Sequence, residues 1–327
     1  MNSNDIQAMP SPPSLMKALM AGFDAISSHI SLVSFSIALD LFLLFGPRLR
    51  MTALFREAFS QSAGMLDEQS RHLLENLQTM IEQLNLLRVV RTFPVGIPSL
   101  MVGRLLQQNP LGTPVTYEVP TAFSALAAWL AISLVGLSLG ALYFQAVNQA
   151  ALSGKIHWRD VLLQWPQTSA QVIVLAILWL MLFFFIMIPS TCFLSVLMLS
   201  GVGSSQLAIV IAVLFGGLFI WLVVPLVFSP HGIFVNRRPA WLSVMDSVRI
   251  TRSTLPSTLL LFLIFILLSE GLDVLWNAPA DSSWWMLVGI AGHAFVTTSL
   301  LAASFIYYRD ADLWVQSRLR KPRLSVA

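Results

Sequence analysis

Apolar residues in this chain gather into six long runs, over 30–45, 122–146, 170–199, 207–228, 258–276 and 284–308. A helix rises about 1.5 Å per residue, so roughly 18 to 20 apolar residues cross a hydrocarbon core of about 30 Å. Five of the runs reach that length unaided, and the first does so when extended back through the mixed residues from 16. The pattern predicts an all-α, polytopic transmembrane helical bundle of about six spans.

The punctuation divides the chain further. Residues 1–15, with Pro10, Pro12 and Pro13, read as a disordered N-terminus. The first transmembrane helix is expected over 16–46, stopped by Gly46-Pro47. A polar stretch over 47–120 reads as an extracytoplasmic helical insertion, 121–310 as a five-span transmembrane bundle, and 311–327 as a cytoplasmic basic tail. Within the insertion, Leu73, Leu77, Met80, Leu84 and Leu87 alternate steps of four and three and form an apolar seam on one helix face. That seam is the expected contact for a protein partner or for self-association. Prolines at 94, 98, 110, 114 and 120 argue against a long regular element after it, and the apolar patch 97–102 between them is expected to dip toward the membrane interface.

Two amphipathic interfacial helices are expected, over 157–164 and from Pro239 onward, the second with Leu242, Met245 and Val248 on its apolar face. Ser133, Gly136 and Gly140 recur at steps of three and four and predict close approach of another backbone. Gly216, Gly217, Pro189 and Pro225 allow bends, while Trp276, Trp284 and Trp285 match an aromatic belt at one interface.

Composition agrees with a lipid-facing chain: 56% of residues are hydrophobic and 11% charged, against roughly 25% charged in soluble domains. The net charge of +3 comes from 19 basic and 16 acidic residues, with no basic blocks interleaved with aromatics, so nucleic acid is not an expected partner. Apart from seven within the insertion, the basic residues fall before the first span and after the second, fourth and sixth. Basic loops stay in the cytoplasm, so both termini are expected there, in a multi-pass protein of the cell's inner membrane. Arg48 and Arg50 argue the other way locally; an even number of spans overrules them.

Candidate chemistry is sparse. The single Cys192 excludes a disulfide or a cysteine metal cluster within one chain. Glycine-rich phosphate loops, paired-histidine zinc motifs and nucleophile elbows are absent, so no catalytic residue, cofactor or metal is expected and the chain is not read as an enzyme. Four ionisable residues do fall within the spans: Asp40, Glu270, Asp273 and His293. Such groups are costly in a bilayer and normally face the bundle interior or a wet cavity. Counted inward from the span ends, they lie about 8, 9, 5 and 14 Å deep, all in the outer half. Glu270 and His293 are on consecutive antiparallel spans at depths about one helical turn apart, close enough in level to meet as a proton or cation site or a cavity lining. The alternative is that each hydrogen-bonds a neighbouring Ser, Thr or backbone carbonyl and only fixes packing.

From Arg237 onward the chain resembles a family of bacterial six-span membrane proteins similar to the membrane domain attached to some glycerophosphoryl diester phosphodiesterases. The residues that carry this are the interfacial helix with Ser243, Ser247, Arg249 and Ser253, the apolar hairpin after it, and Tyr307-Tyr308-Arg309-Asp310. The resemblance implies an inner-membrane bundle and transfers no catalytic residue. Absence of motifs points first to a non-enzymatic scaffold or accessory subunit of a membrane complex. The other reading is a small transporter or permease component with a polar site in the outer half of the membrane.

Overall fold

The computed structural model describes residues 12–55, 84–106, 108–199 and 205–320. Among these residues the α-helices are α1 (Leu15–Ser28), α2 (Val33–Phe45), α3 (Ala122–Ser153), α4 (Trp158–Leu199), α5 (Ser205–Val223), α6 (His231–Val235), α7 (Ala240–Ser253), α8 (Leu255–Trp276) and α9 (Met286–Arg320). Two short strands, β1 (Arg48–Arg50) and β2 (Thr116–Glu118), pair in parallel and clamp the two ends of the insertion together. The fold is an all-α bundle whose helices are long and apolar enough for a multi-pass membrane protein.

The first apolar run is broken. α1 and α2 meet at 87°, around a 3-10 turn over Ile30–Leu32. Polar side chains around the break compete for helix carbonyls: Ser27 Oγ donates to Asp24 O at 2.9 Å, His29 Nδ1 lies 3.0 Å from Ala25 O, and Ser34 Oγ donates to Ser31 O at 2.6 Å. Such local bonding bends helices. The pair nevertheless tracks α9 from one end toward the other. Ala18 packs among Ile306, Tyr307 and Ala311; the Phe23 and Phe295 rings are 5.9 Å apart; and Phe45 lies 6.0 Å from Trp284. Together α1 and α2 are long and apolar enough to cross as one bent pair, beside five other candidate spans. Gly22 permits the close crossing, because a Cβ there would stand 2.6 Å from both Ala303 N and Ser299 O.

α9 is the central post. Its buried side chains include Ile290, Ala294, Ala302, Phe305 and Tyr307, and α1, α2, α3 and α8 all pack on it. Trp276, expected in the aromatic belt with Trp284 and Trp285, instead turns inward. Its carbonyl and ring lie where Cβ atoms on Gly289 and Gly292 would stand, at 2.5 and 2.6 Å. The two glycines let the end of α8 settle beside residues 289–292 of α9.

The small-residue face of α3 behaves as its spacing predicts, although what approaches it is an irregular segment and not a helix. A Cβ on Gly136 would meet Val90 O at 2.3 Å, and one on Gly140 would meet the Gly96 Cα at 3.0 Å. Gly136 lies 14 residues into α3, about 21 Å along its axis, so residues 90–96 lie beside the middle of a helix long enough to cross a core of about 30 Å. Residues 84–106 thus fold back into the bundle, burying Val95, Ile97, Ser99, Leu100 and Met101. Non-helical backbone at such depth persists only where protein or a wet cavity satisfies it. Of the expected seam, Leu73, Leu77 and Met80 lie outside the described residues. Leu84 is exposed, and Leu87 sits in a 3-10 turn (Leu86–Val90) against α3.

The interfacial helices differ from expectation in detail. Residues 158–164 form the first turns of α4 and not a separate helix. α7 begins after Pro239 as expected, yet it buries Ser243, Asp246, Ser247 and Ile250 and leaves Met245 exposed. The reason lies in the corner between α5 and α6. Pro225 and Pro230 interrupt the helix there, and Ser243 Oγ donates to Ser229 O at 2.5 Å while Ser247 Oγ donates to Pro225 O at 2.8 Å. Hydrogen bonding to free carbonyls outweighs burying the leucine and methionine face, which lipid can solvate instead.

Candidate functional site

Two polar constellations stand out, one buried in the bundle and one at its side. The first begins at Asp40, fully buried on α2. Its Oδ1 accepts the Ser99 hydroxyl at 2.5 Å and Met101 N–H at 3.0 Å, and its Oδ2 accepts Leu100 N–H at 3.1 Å. Three donors from one turn of the inserted segment surround the carboxylate, which anchors that segment as a side-chain cap anchors a helix start.

His293 on α9, 4% exposed, is close enough to interact with Asp40 electrostatically. Its Nδ1 is 2.8 Å from Asp273 Oδ1, and its Nε2 is buried with no hydrogen-bond partner. Asp273, not Glu270, is thus the histidine's partner. The expectation of a Glu270–His293 contact assumed that α8 and α9 end at one level. Trp276 sitting beside Gly289 and Gly292 lowers α8 relative to α9 and brings Asp273 level with the imidazole. Asp40, His293 and Asp273 therefore form one group joining α2, α9 and α8, and Glu270 belongs elsewhere.

Glu270 lines the second constellation, an open cavity of about 380 Å³ at the side of the bundle. Its walls come from α8 (Phe262, Ile266, Glu270), from α9 (Thr297, Ser304), and from Arg91, Pro94 and Pro98 of the inserted segment. His231, at the start of α6, forms part of the lining: its Nε2 lies 2.8 Å from Ser304 Oγ, and its Nδ1 is buried without a partner. Arg91 Nη1 makes a long contact of 3.5 Å with Ser99 O. Among the described residues, neither Arg91 nor Glu270 forms an ion pair.

The inserted segment is also tied down at its far end. Arg104 pairs with Asp281 at 2.9 Å and donates to Pro279 O at 2.7 Å, linking it to the loop between α8 and α9. Nearer β1, burial lowers the pKa of the Arg88 guanidinium, and the neighbouring Arg48 adds to the effect.

Arg91 and His231 escape a reading of the sequence. Arg91 lies in a proline-rich stretch that looks like surface loop, and His231 has no ligand spacing. The one available signal was a lone arginine beside an apolar, proline-bracketed patch. Groups of three or more histidine, cysteine or acidic residues able to hold a metal do not occur among the described residues. Comparison with family models, with curated proteins and with solved structures finds nothing that matches this chain.

Proposed function

We propose that this chain is a small transporter or permease component, with the Arg91–Glu270 cavity as its substrate site. The observation that carries this reading is a pair of opposite charges on one cavity at membrane depth, neither neutralised by a described side chain. An unpaired ionisable group in a bilayer needs water or a ligand, and such positions mark substrate pathways in membrane proteins. The broken first span and the irregular inserted segment support it, because discontinuous elements near the midplane build the sites of many transporters. In this reading the termini are cytoplasmic, the membrane is the cell's inner membrane, and the chain performs no bond chemistry.

The test is two-sided access. With Cys192 replaced by Ser, Thr297→Cys places one thiol in the cavity. In sealed vesicles of both orientations, a transporter exposes that thiol to a membrane-impermeant thiosulfonate reagent from each side. Labelling from one side only, or from neither, overturns the proposal and returns the chain to the scaffold or accessory-subunit reading.

A further inference from the structure

The rim of the cavity says where its occupant comes from. On α8 it is formed by Ile266, 57% exposed, and by exposed Glu270; on the inserted segment, Arg91 is exposed beside the cavity. Ile266 lies on the outward side of α8, which also exposes Leu259, Leu263 and Leu267. The mouth therefore opens sideways between α8 and the inserted segment. Glu270 is six residues from the end of α8, about 9 Å along the axis, so the mouth stands on the outward face of a helix apolar enough to cross the membrane. A molecule entering there arrives from the bilayer.

The walls select its chemistry. A guanidinium offers paired N–H donors that match a phosphate, whereas a carboxylate accepts N–H donors from an ammonium. Having both on one cavity, unpaired with each other, suits a ligand bearing both charges. A volume of about 380 Å³ is small for a whole lipid but falls in the range of headgroup-sized ligands. Phe262 and Ile266 would flank the start of hydrocarbon chains trailing outward.

We infer that the cavity binds the headgroup of a zwitterionic phospholipid with a primary ammonium, phosphate on Arg91 and ammonium on Glu270. This rests on the reading of the cavity as a substrate site and names its substrate class. Tetraalkylammonium headgroups lack N–H donors for Glu270, and anionic glycerol headgroups lack the cation.

The experiment is native mass spectrometry of the full-length protein in mild detergent, titrated separately with phosphatidylethanolamine, phosphatidylcholine and phosphatidylglycerol of identical chains. Wild type should retain phosphatidylethanolamine about tenfold more tightly than the other two, the difference expected for one charge-assisted hydrogen bond. Arg91→Gln should weaken retention of all three lipids, with Arg91→Lys restoring part of it. Glu270→Gln should erase only the preference for phosphatidylethanolamine. Equal retention by wild type and variants overturns the inference, since that is what lipid coating the bundle would give. Displacement by millimolar soluble phosphoethanolamine overturns the lipid source and assigns the same charges to a water-borne solute. The Thr297→Cys labelling fails independently: two-sided access without lipid preference keeps the permease reading alone, and lipid preference without it leaves a binding site that does not transport.

Discussion

The Ser99 hydroxyl donates to the Asp40 carboxylate at 2.5 Å, across 59 residues of sequence, and this bond pins an irregular segment inside a helical bundle. Leu100 and Met101 N–H groups complete the set. Hydrogen bonds to charged groups are worth about 1.5–3 kcal/mol, and leaving buried donors unmet costs more. Asp40→Ala should therefore lower unfolding free energy by about 3 kcal/mol or more and raise amide hydrogen exchange over 97–103. Exchange unchanged in that stretch would refute the anchoring role.

Asp273 and His293 act as a pair and Glu270 does not belong to it. In a double-mutant cycle, Asp273→Ala and His293→Ala should couple by about 0.5–3 kcal/mol. Glu270→Gln combined with His293→Ala should be additive within about 0.5 kcal/mol. Thermal unfolding in one detergent measures both cycles. Coupling confined to Glu270 would contradict the observed geometry.

The glycines separate cleanly by what surrounds them. Gly136→Ala would place a methyl 2.3 Å from Val90 O, whereas Gly216 has nothing within 4 Å. Overpacking of this kind costs about 1–3 kcal/mol. Gly136→Ala should depress the melting temperature, and Gly216→Ala should leave it unchanged or slightly raised. Equal melting temperatures would show that the inserted segment does not bear on α3.

Asp246 on α7 makes stability depend on pH in a direction opposite to most carboxylates. Burial raises its pKa above the ordinary 3.8, partly offset by Arg238 at 3.0 Å. A carboxyl whose folded pKa is raised takes up its proton more readily when folded. Its contribution is fully present below the unfolded pKa and is lost as pH rises through the folded one. Stability relative to Asp246→Asn should then rise as pH falls from neutrality toward 4. A difference that stays flat or falls over that range counts against it.

Orientation is tested by labelling in intact cells. In the Cys192→Ser background, a cysteine at Ser282 should react with a membrane-impermeant thiol reagent, and one at Ser317 should not. Reaction at Ser317 from outside would reverse the assignment of the termini.

Hydropathy alone determined that this is a multi-pass helical protein, because burying roughly 20 consecutive apolar residues in lipid needs no partner. Small-residue spacing likewise announced that α3 has a face for close approach, since Gly136 and Gly140 fall four residues apart on any helix. Neither could say what approaches. Depth counting located Asp40, Glu270, Asp273 and His293 along their helices but assumed a common starting level. It left rotation and stagger open. Those were decided by contacts remote in sequence: Trp276 against Gly289 and Gly292 set the stagger that gives His293 to Asp273, and Ser99 met Asp40. The inserted segment was the least legible, as proline and polar residues look alike whether water or a protein interior satisfies their backbone. Only the tertiary structure brought Arg91 and Glu270 to one cavity, because a single helix or loop cannot specify the charge that faces it.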